Sequence, residues 1–124
     1  MKKQILAKLN KGYQRLTTFE TSTKGYEWFG NSPAHETLTA YGLMQFNDMM
    51  AVGINVDGAM VNRTRDWIIS RKDTEKVGSF KVNPRQLDSF GGSTETINNA
   101  YIVWALTSLQ HFSYEVLEDE FNYL

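Results

Sequence analysis

The chain has 124 residues, 41% of them hydrophobic, with thirteen basic and fourteen acidic side chains and a net charge of −1. That is apolar content for one core, but the basic residues (Lys2, Lys3, Lys8, Lys11, Arg15, then Arg63, Arg65, Arg71, Lys72) are too scattered for the basic face that nucleic-acid binding needs. The chain lacks cysteine, which excludes disulfides, thiolate nucleophiles and cysteine-ligated metal; no apolar run is long enough to insert in a membrane, and Met1-Lys2-Lys3 leads into an amphipathic stretch rather than a signal peptide.

The first predicted helix covers about residues 3–20, where Ile5, Leu6, Leu9, Tyr13, Leu16 and Phe19 recur at helical spacing. Gly12 weakens its middle by roughly 1 kcal/mol relative to alanine, so tertiary packing is expected to require it. Thr21 to Gly30 reads as a loop. Ser32-Pro33 is a strong helix start, serine as cap and proline in the first turn, with Glu36 near the positive end. Leu38, Ala40, Tyr41, Leu43, Phe46, Met49 and Met50 then spread round most of the circumference, and Gly53 ends the helix.

Asp57-Gly58 opens a third helix with Met60, Val61, Thr64, Trp67 and Ile68 on one side and Arg63, Arg65 and Asp66 outward, stopping near Arg71 to Asp73. The long loop Thr74 to Gly92 follows, with Gly78, Pro84 and Gly91-Gly92 as turn signals; long ordered loops are disproportionately functional. Ser93 or Thr94 caps a fourth helix, apolar on many sides through Ile97, Ala100, Tyr101, Val103, Trp104, Ala105, Leu106 and Leu109. The tail from Ser113 suits a short helix with Tyr114, Leu117, Phe121 and Leu124 on one side and a solvated acidic face of Glu115, Glu118, Asp119 and Glu120 on the other.

The chain repeats itself. Phe29-Gly30 returns as Phe90-Gly91, and Ala40-Tyr41 returns as Ala100-Tyr101. With one-sided helices alternating with many-sided ones, this predicts an all-α fold of helical hairpins, one-sided helices outside and many-sided ones inside, forming an open solenoid or a closed α/α toroid.

Several blocks resemble one family in order and spacing: Lys11-Gly12-Tyr13-Gln14-Arg15-Leu16, Trp28-Phe29-Gly30, Leu38 through Phe46, Thr64 through Arg71, Leu87 through Gly91, and Asn98 through Leu106. Together they resemble the thioester domain of the α2-macroglobulin and complement family, over about residues 8–110. The resemblance implies that residues 1–124 are a single, partial α/α toroid from a larger extracellular protein. The parent would act in protease trapping or covalent tagging, meeting proteases or target surfaces; this segment would be non-catalytic by itself and would need no cofactor. The family's Gly-Cys-Gly-Glu-Gln thioester motif lies N-terminal to the matched region. This cysteine-free chain cannot form that bond, and whether the motif precedes it in the parent or is missing there stays open.

The family uses a residue in the long loop to set nucleophile preference. A histidine there forms an acyl-imidazole, so that hydroxyls react well; without it, amines attack directly. Counted from Phe80, the position falls on or beside Asp88. The resemblance therefore implies direct aminolysis and lysine preference, with the Asp88 carboxylate orienting the incoming ammonium. The plainer alternative is that Asp88 caps the turn through Ser89-Phe90-Gly91-Gly92.

Other candidates read as structural. His35 and Glu36 are adjacent and form a surface pair at a helix start; His111 suits a helix end; Glu118-Asp119-Glu120 is a solvated face rather than a cation site. Trp28, Phe29, Tyr41, Phe46, Trp67, Tyr101 and Trp104 are expected to pack between hairpins. A toroid enzyme of the terpenoid cyclase or prenyltransferase type needs an aspartate cluster or zinc ligands, and neither pattern occurs; a plain helical-repeat scaffold is the remaining alternative. The isolated chain is expected to self-associate through exposed hairpin edges.

Overall fold

The structure, a computed structural model, describes residues 1–26, 35–81, 95–109 and 113–124. Five α-helices lie among them: α1 (Lys2–Thr17), α2 (Glu36–Ala51), α3 (Gly58–Ser70), α4 (Glu95–Thr107) and α5 (Glu118–Tyr123), the last entered through a 3₁₀ turn at Tyr114–Leu117. The fold is all-α, as the spacing predicts.

The helix boundaries follow from local chemistry. Asp57 caps α3, its carboxylate accepting from the Ala59 N–H at 3.0 Å, which satisfies one of the donors a helix start leaves bare. Gly53, at φ +90°, lets the chain turn away from α2 in a conformation that side chains resist. The cap of α2 differs from expectation. It is His35, whose Nδ1 accepts from the Leu38 N–H at 3.1 Å, and Ser32-Pro33 lies outside the described residues. His35 and Glu36 are also buried, not a surface pair.

α2 is the hub. It packs against α4, α3 and α1, and its Ala40, Leu43 and Phe46 are completely buried beside Ile68 of α3 and Ala105 and Leu106 of α4. α1 has no buried residue; its stripe Leu6, Leu9, Tyr13 and Leu16 is half-buried against the core. Tyr13 meets the Phe46 ring edge-on, centroids 6.1 Å apart, and its hydroxyl accepts from the Asp57 N–H at 3.0 Å, tying α1 to the start of α3. One-sided helices outside and many-sided helices inside is thus the arrangement found for these four. The many-sided pair is not enclosed, however. Tyr41, Ile97 and Trp104 are about half exposed or more, so Tyr41 and Trp104 do not pack between hairpins as expected, whereas Phe46 does.

The repeat seen in the sequence is structural. After α1, Glu20 bridges to Tyr26 in antiparallel fashion; after α3, Lys72 bridges to Phe80 in the same way. Each bridge closes on an equivalent bond, Thr21 N–H to the Gly25 carbonyl (2.7 Å) and Asp73 N–H to the Ser79 carbonyl (2.9 Å). Each is then fastened to the next inner helix. The Tyr26 N–H donates to Thr39 Oγ1 (2.8 Å), and the Phe80 N–H donates to Asn99 Oδ1 (3.3 Å).

The first bridge residue also pairs with the following outer helix in both cases. Glu20 meets Arg63 of α3 at 3.2 Å, and Lys72 meets Glu120 of α5 at 3.1 Å, with the charges in reverse order. By this register α5 occupies the outer-helix place of a third unit. It also overturns the expected tail. Glu120 is 1% exposed and ion-paired rather than part of a solvated face, while Tyr114, Phe121 and Leu124 face solvent. The buried side of the tail is Leu117 and Glu120, three residues apart on one helical face. The cause is Lys72, which supplies both an ion pair to Glu120 and, at 2.6 Å, a donor to the Val116 carbonyl.

Candidate functional site

Asp88, the position that the resemblance marks for nucleophile preference, lies outside the described residues, as do Trp28-Phe29-Gly30, Ser89 to Thr94 and His111. The structure does describe the base from which the long loop springs, residues 71–81, and the starts of α2 and α4 beside it.

That base is held at several points. The Lys81 N–H donates to the Arg71 carbonyl at 2.8 Å, closing the neck opposite the Lys72–Phe80 bridge. Inside it, the Asp73 carboxylate accepts from the Glu75 N–H at 2.9 Å and the Lys76 N–H at 3.3 Å. Those backbone donors hold its carboxyl below the usual carboxylate range, helped by Lys81 and Lys76 and opposed by a little desolvation. Gly78 turns the chain at φ +93°. A Cβ there would stand 2.8 Å from the Asp119 carbonyl oxygen and closer still to Tyr123 Cβ, so α5 rests directly on this turn.

Two ion pairs connect the base to the inner helices. Arg71 Nε donates to Glu36 Oε1 at 2.8 Å; Glu36 is 4% exposed, so a cation is what makes its burial tolerable. Lys76 Nζ lies 2.7 Å and 2.8 Å from the two carboxylate oxygens of Glu95 at the start of α4, and that carboxylate raises the lysine's affinity for its proton. Lys76 also sits 5.8 Å from the Tyr123 ring centroid.

Between the starts of α2 and α4 lies a narrow cleft of about 10 Å³, room for one water-sized group, lined by Glu36, Thr37, Phe80, Lys81, Glu95 and Asn99 among others. Asn99 is 2% exposed and its Nδ2 makes no hydrogen bond. A wider, open depression of about 520 Å³ lies at the other end of the helices, between Met50, Ala51, Val61, Arg65 and Leu109. Among the described residues no three His, Cys, Asp or Glu side chains gather as a metal site, and no helix is long and apolar enough to cross a membrane.

Sequence reasoning missed most of this. The sequence reads Glu36 as part of a surface pair, and Arg71, Lys72 and Asn99 are not among its candidate site residues. The available signal was positional. Asn99 stands immediately before Ala100-Tyr101, as Thr39 stands before Ala40-Tyr41, so the repeat itself marks a polar residue at that register.

A family model described as the A-macroglobulin TED domain matches residues 1–122. No curated protein matches the chain.

Proposed function

The chain belongs to the A-macroglobulin TED domain family, an α2-macroglobulin- and complement-like thioester domain, and from that premise we propose that it is part of an α/α toroid whose parent traps proteases or tags target surfaces covalently. On this reading the segment is itself not an enzyme, the parent works outside the cell, and residues 1–124 form one partial toroid unit. The observation that carries it is the family match across nearly the whole chain. The recurrence of bridge, fastening residue and ion pair from one hairpin to the next supports the toroid.

Asp88 takes the loop position that tunes the reaction. With no imidazole there, the neutral amine attacks the thioester carbonyl directly: the C–N bond forms as the C–S bond breaks, and the leaving thiolate takes up the proton that the nitrogen loses; the Asp88 carboxylate draws a target lysine close as its ammonium, before that ammonium gives up a proton to become the nucleophile. The loop base favours such a role. Arg71–Glu36, Lys76–Glu95 and Lys72–Glu120 tie it to three helices, and a residue that orients a nucleophile needs a rigid support.

The test uses the parent protein. Its sequence upstream of this segment is read for the thioester motif, and the protein is incubated with labelled methylamine or labelled glycerol. Incorporation of amine well above glycerol is expected, with Asp88→His moving the preference toward glycerol. A parent without the cysteine and glutamine, or one that incorporates neither label, overturns the reading.

A further inference from the structure

Nine asparagines lie along the chain, and one of them opens an Asn-x-Thr triplet whose centre is not proline: Asn62-Arg63-Thr64. That triplet is the acceptor pattern for an N-linked glycan, a bulky polar group that a folded protein tolerates where the asparagine faces solvent. The triplet alone says little; its setting on α3 says more. Asn62 is exposed, in the second turn of an outer helix. Its Oδ1 accepts from Arg65 Nη1 at 3.3 Å, and its Nδ2, the atom that a sugar is joined to, makes no hydrogen bond among the described residues. A glycosylated amide keeps its carbonyl oxygen, so the bond from Arg65 survives the modification.

The two residues that follow are committed to the fold. Arg63 pairs with Glu20 at 3.2 Å; Thr64 is 0% exposed, and its hydroxyl donates to the Met60 carbonyl at 3.0 Å. A transferase that must reach the threonine hydroxyl therefore reads this triplet on the unfolded chain. Folding then hides the threonine and leaves the asparagine outside. Asn62 also lines the open depression of about 520 Å³, together with the apolar Met50, Val61 and Leu109 and the polar Asn47 and Ser108. Met50 is 41% exposed there. A pyranose ring suits such a surface, with one face of C–H groups for the apolar side chains and hydroxyls and an acetamide for the polar ones.

We propose that Asn62 is a site of N-linked glycosylation and that the first N-acetylglucosamine rests in the adjoining depression. In the transfer, the Asn62 amide nitrogen loses a proton and bonds to C1 of the sugar. The bond from C1 to the diphosphate oxygen of a lipid-linked oligosaccharide breaks; the lipid diphosphate leaves with that electron pair, and solvent takes the proton. This rests on the reading that the parent works outside the cell, because that donor is met on the secretory route.

The full chain is translated behind an added, cleavable secretion signal in the presence of microsomes. A slower band that a glycan-removing amidase returns to its original position is expected. Asn62→Gln and Thr64→Val are expected to lose that band, and Thr64→Ser to keep it. The band forms on the unfolded chain, so a variant that fails to fold still reports. For the seat of the sugar, the chain secreted from cultured animal cells is trimmed to its first N-acetylglucosamine and compared with the same chain made in bacteria. The trimmed glycoprotein is expected to melt a few degrees higher, and Met50→Ser to shrink the difference. An unmodified chain, or a slower band that persists in Asn62→Gln, overturns the site; equal melting overturns the seat. The two readings fail separately. A parent kept inside its cell sinks the extracellular reading while the microsomes still decide the site; a secreted parent with a bare Asn62 sinks the site alone.

Discussion

Gly78 holds a φ of +93° with α5 pressed against it, while Gly12 has open space where a side chain would stand. Substitution should therefore act in opposite directions. Gly12→Ala is expected to stabilise the chain by about 1 kcal/mol, since alanine is the better helix former and meets nothing; the expectation that packing demands this glycine is overturned by the space around it. Gly78→Ala is expected to destabilise by about 1–3 kcal/mol, combining an unfavourable backbone conformation with displacement of α5. Urea denaturation of the two variants checks both signs.

The Lys72–Glu120 pair offers a second contrast between partners. The glutamate is 1% exposed with Oε2 unpartnered, whereas the lysine side chain is 29% exposed. Removing the lysine strands a buried carboxylate, and Lys72→Ala is expected to cost about 3 kcal/mol. Glu120→Gln leaves an ammonium that can turn to water, and about 1 kcal/mol is expected. Equal losses in thermal or urea melts would show that the glutamate is reached by solvent.

At the scale of elements, the turn over residues 73–80 ties its stability to acid. The Asp73 carboxyl binds its proton less tightly folded than unfolded, so its contribution is complete above the ordinary carboxylate value of about 3.9 and is lost as pH falls through the lower folded value. Hydrogen exchange at Glu75 and Lys76 is expected to accelerate on acidification through that window in the native chain. In Asp73→Asn the step should be missing.

The helices themselves were legible where apolar residues recur at fixed spacing, as in Leu6, Leu9, Tyr13 and Leu16, and where a cap is chemically conspicuous, as at Asp57 and Gly53. The start of α2 was not, because Ser32-Pro33 is the stronger local signal and histidine ranks low among caps; His35 is buried there, with its N–H held by the Tyr26 carbonyl at 2.7 Å. The candidate site was less legible still. A run such as Glu118-Asp119-Glu120 says nothing of a lysine far back along the chain that will draw its last member inside. Asn99 acquires meaning only when set beside Thr39 in the other hairpin.

At the scale of the molecule, the inner helices keep an uncovered apolar flank. Ile97, Tyr101 and Trp104 fall on one stripe of α4, and Tyr101 meets Trp104 edge-on at 6.0 Å. Burial raises the Tyr101 hydroxyl above its ordinary value, and Tyr41 of α2 is near enough to raise it further electrostatically. Exposed patches of this kind promote association. Light scattering is expected to show the isolated chain growing beyond a monomer as concentration rises, and Trp104→Lys is expected to restore the monomer without lowering the melting temperature. A wild-type chain that stays monomeric at high concentration sinks this expectation.

The opposite order of charge in the two inter-hairpin pairs bears on how such chains could go wrong together. Were one hairpin to dock a step out of place, Glu20 would face Glu120 and Lys72 would face Arg63. Like charges would then be forced together at sites where the side chains are partly or wholly withdrawn from water. The fold thus carries its own proofreading: units built on one pattern, which invite confusion because their backbones are joined alike, are told apart by the sign each one offers its neighbour.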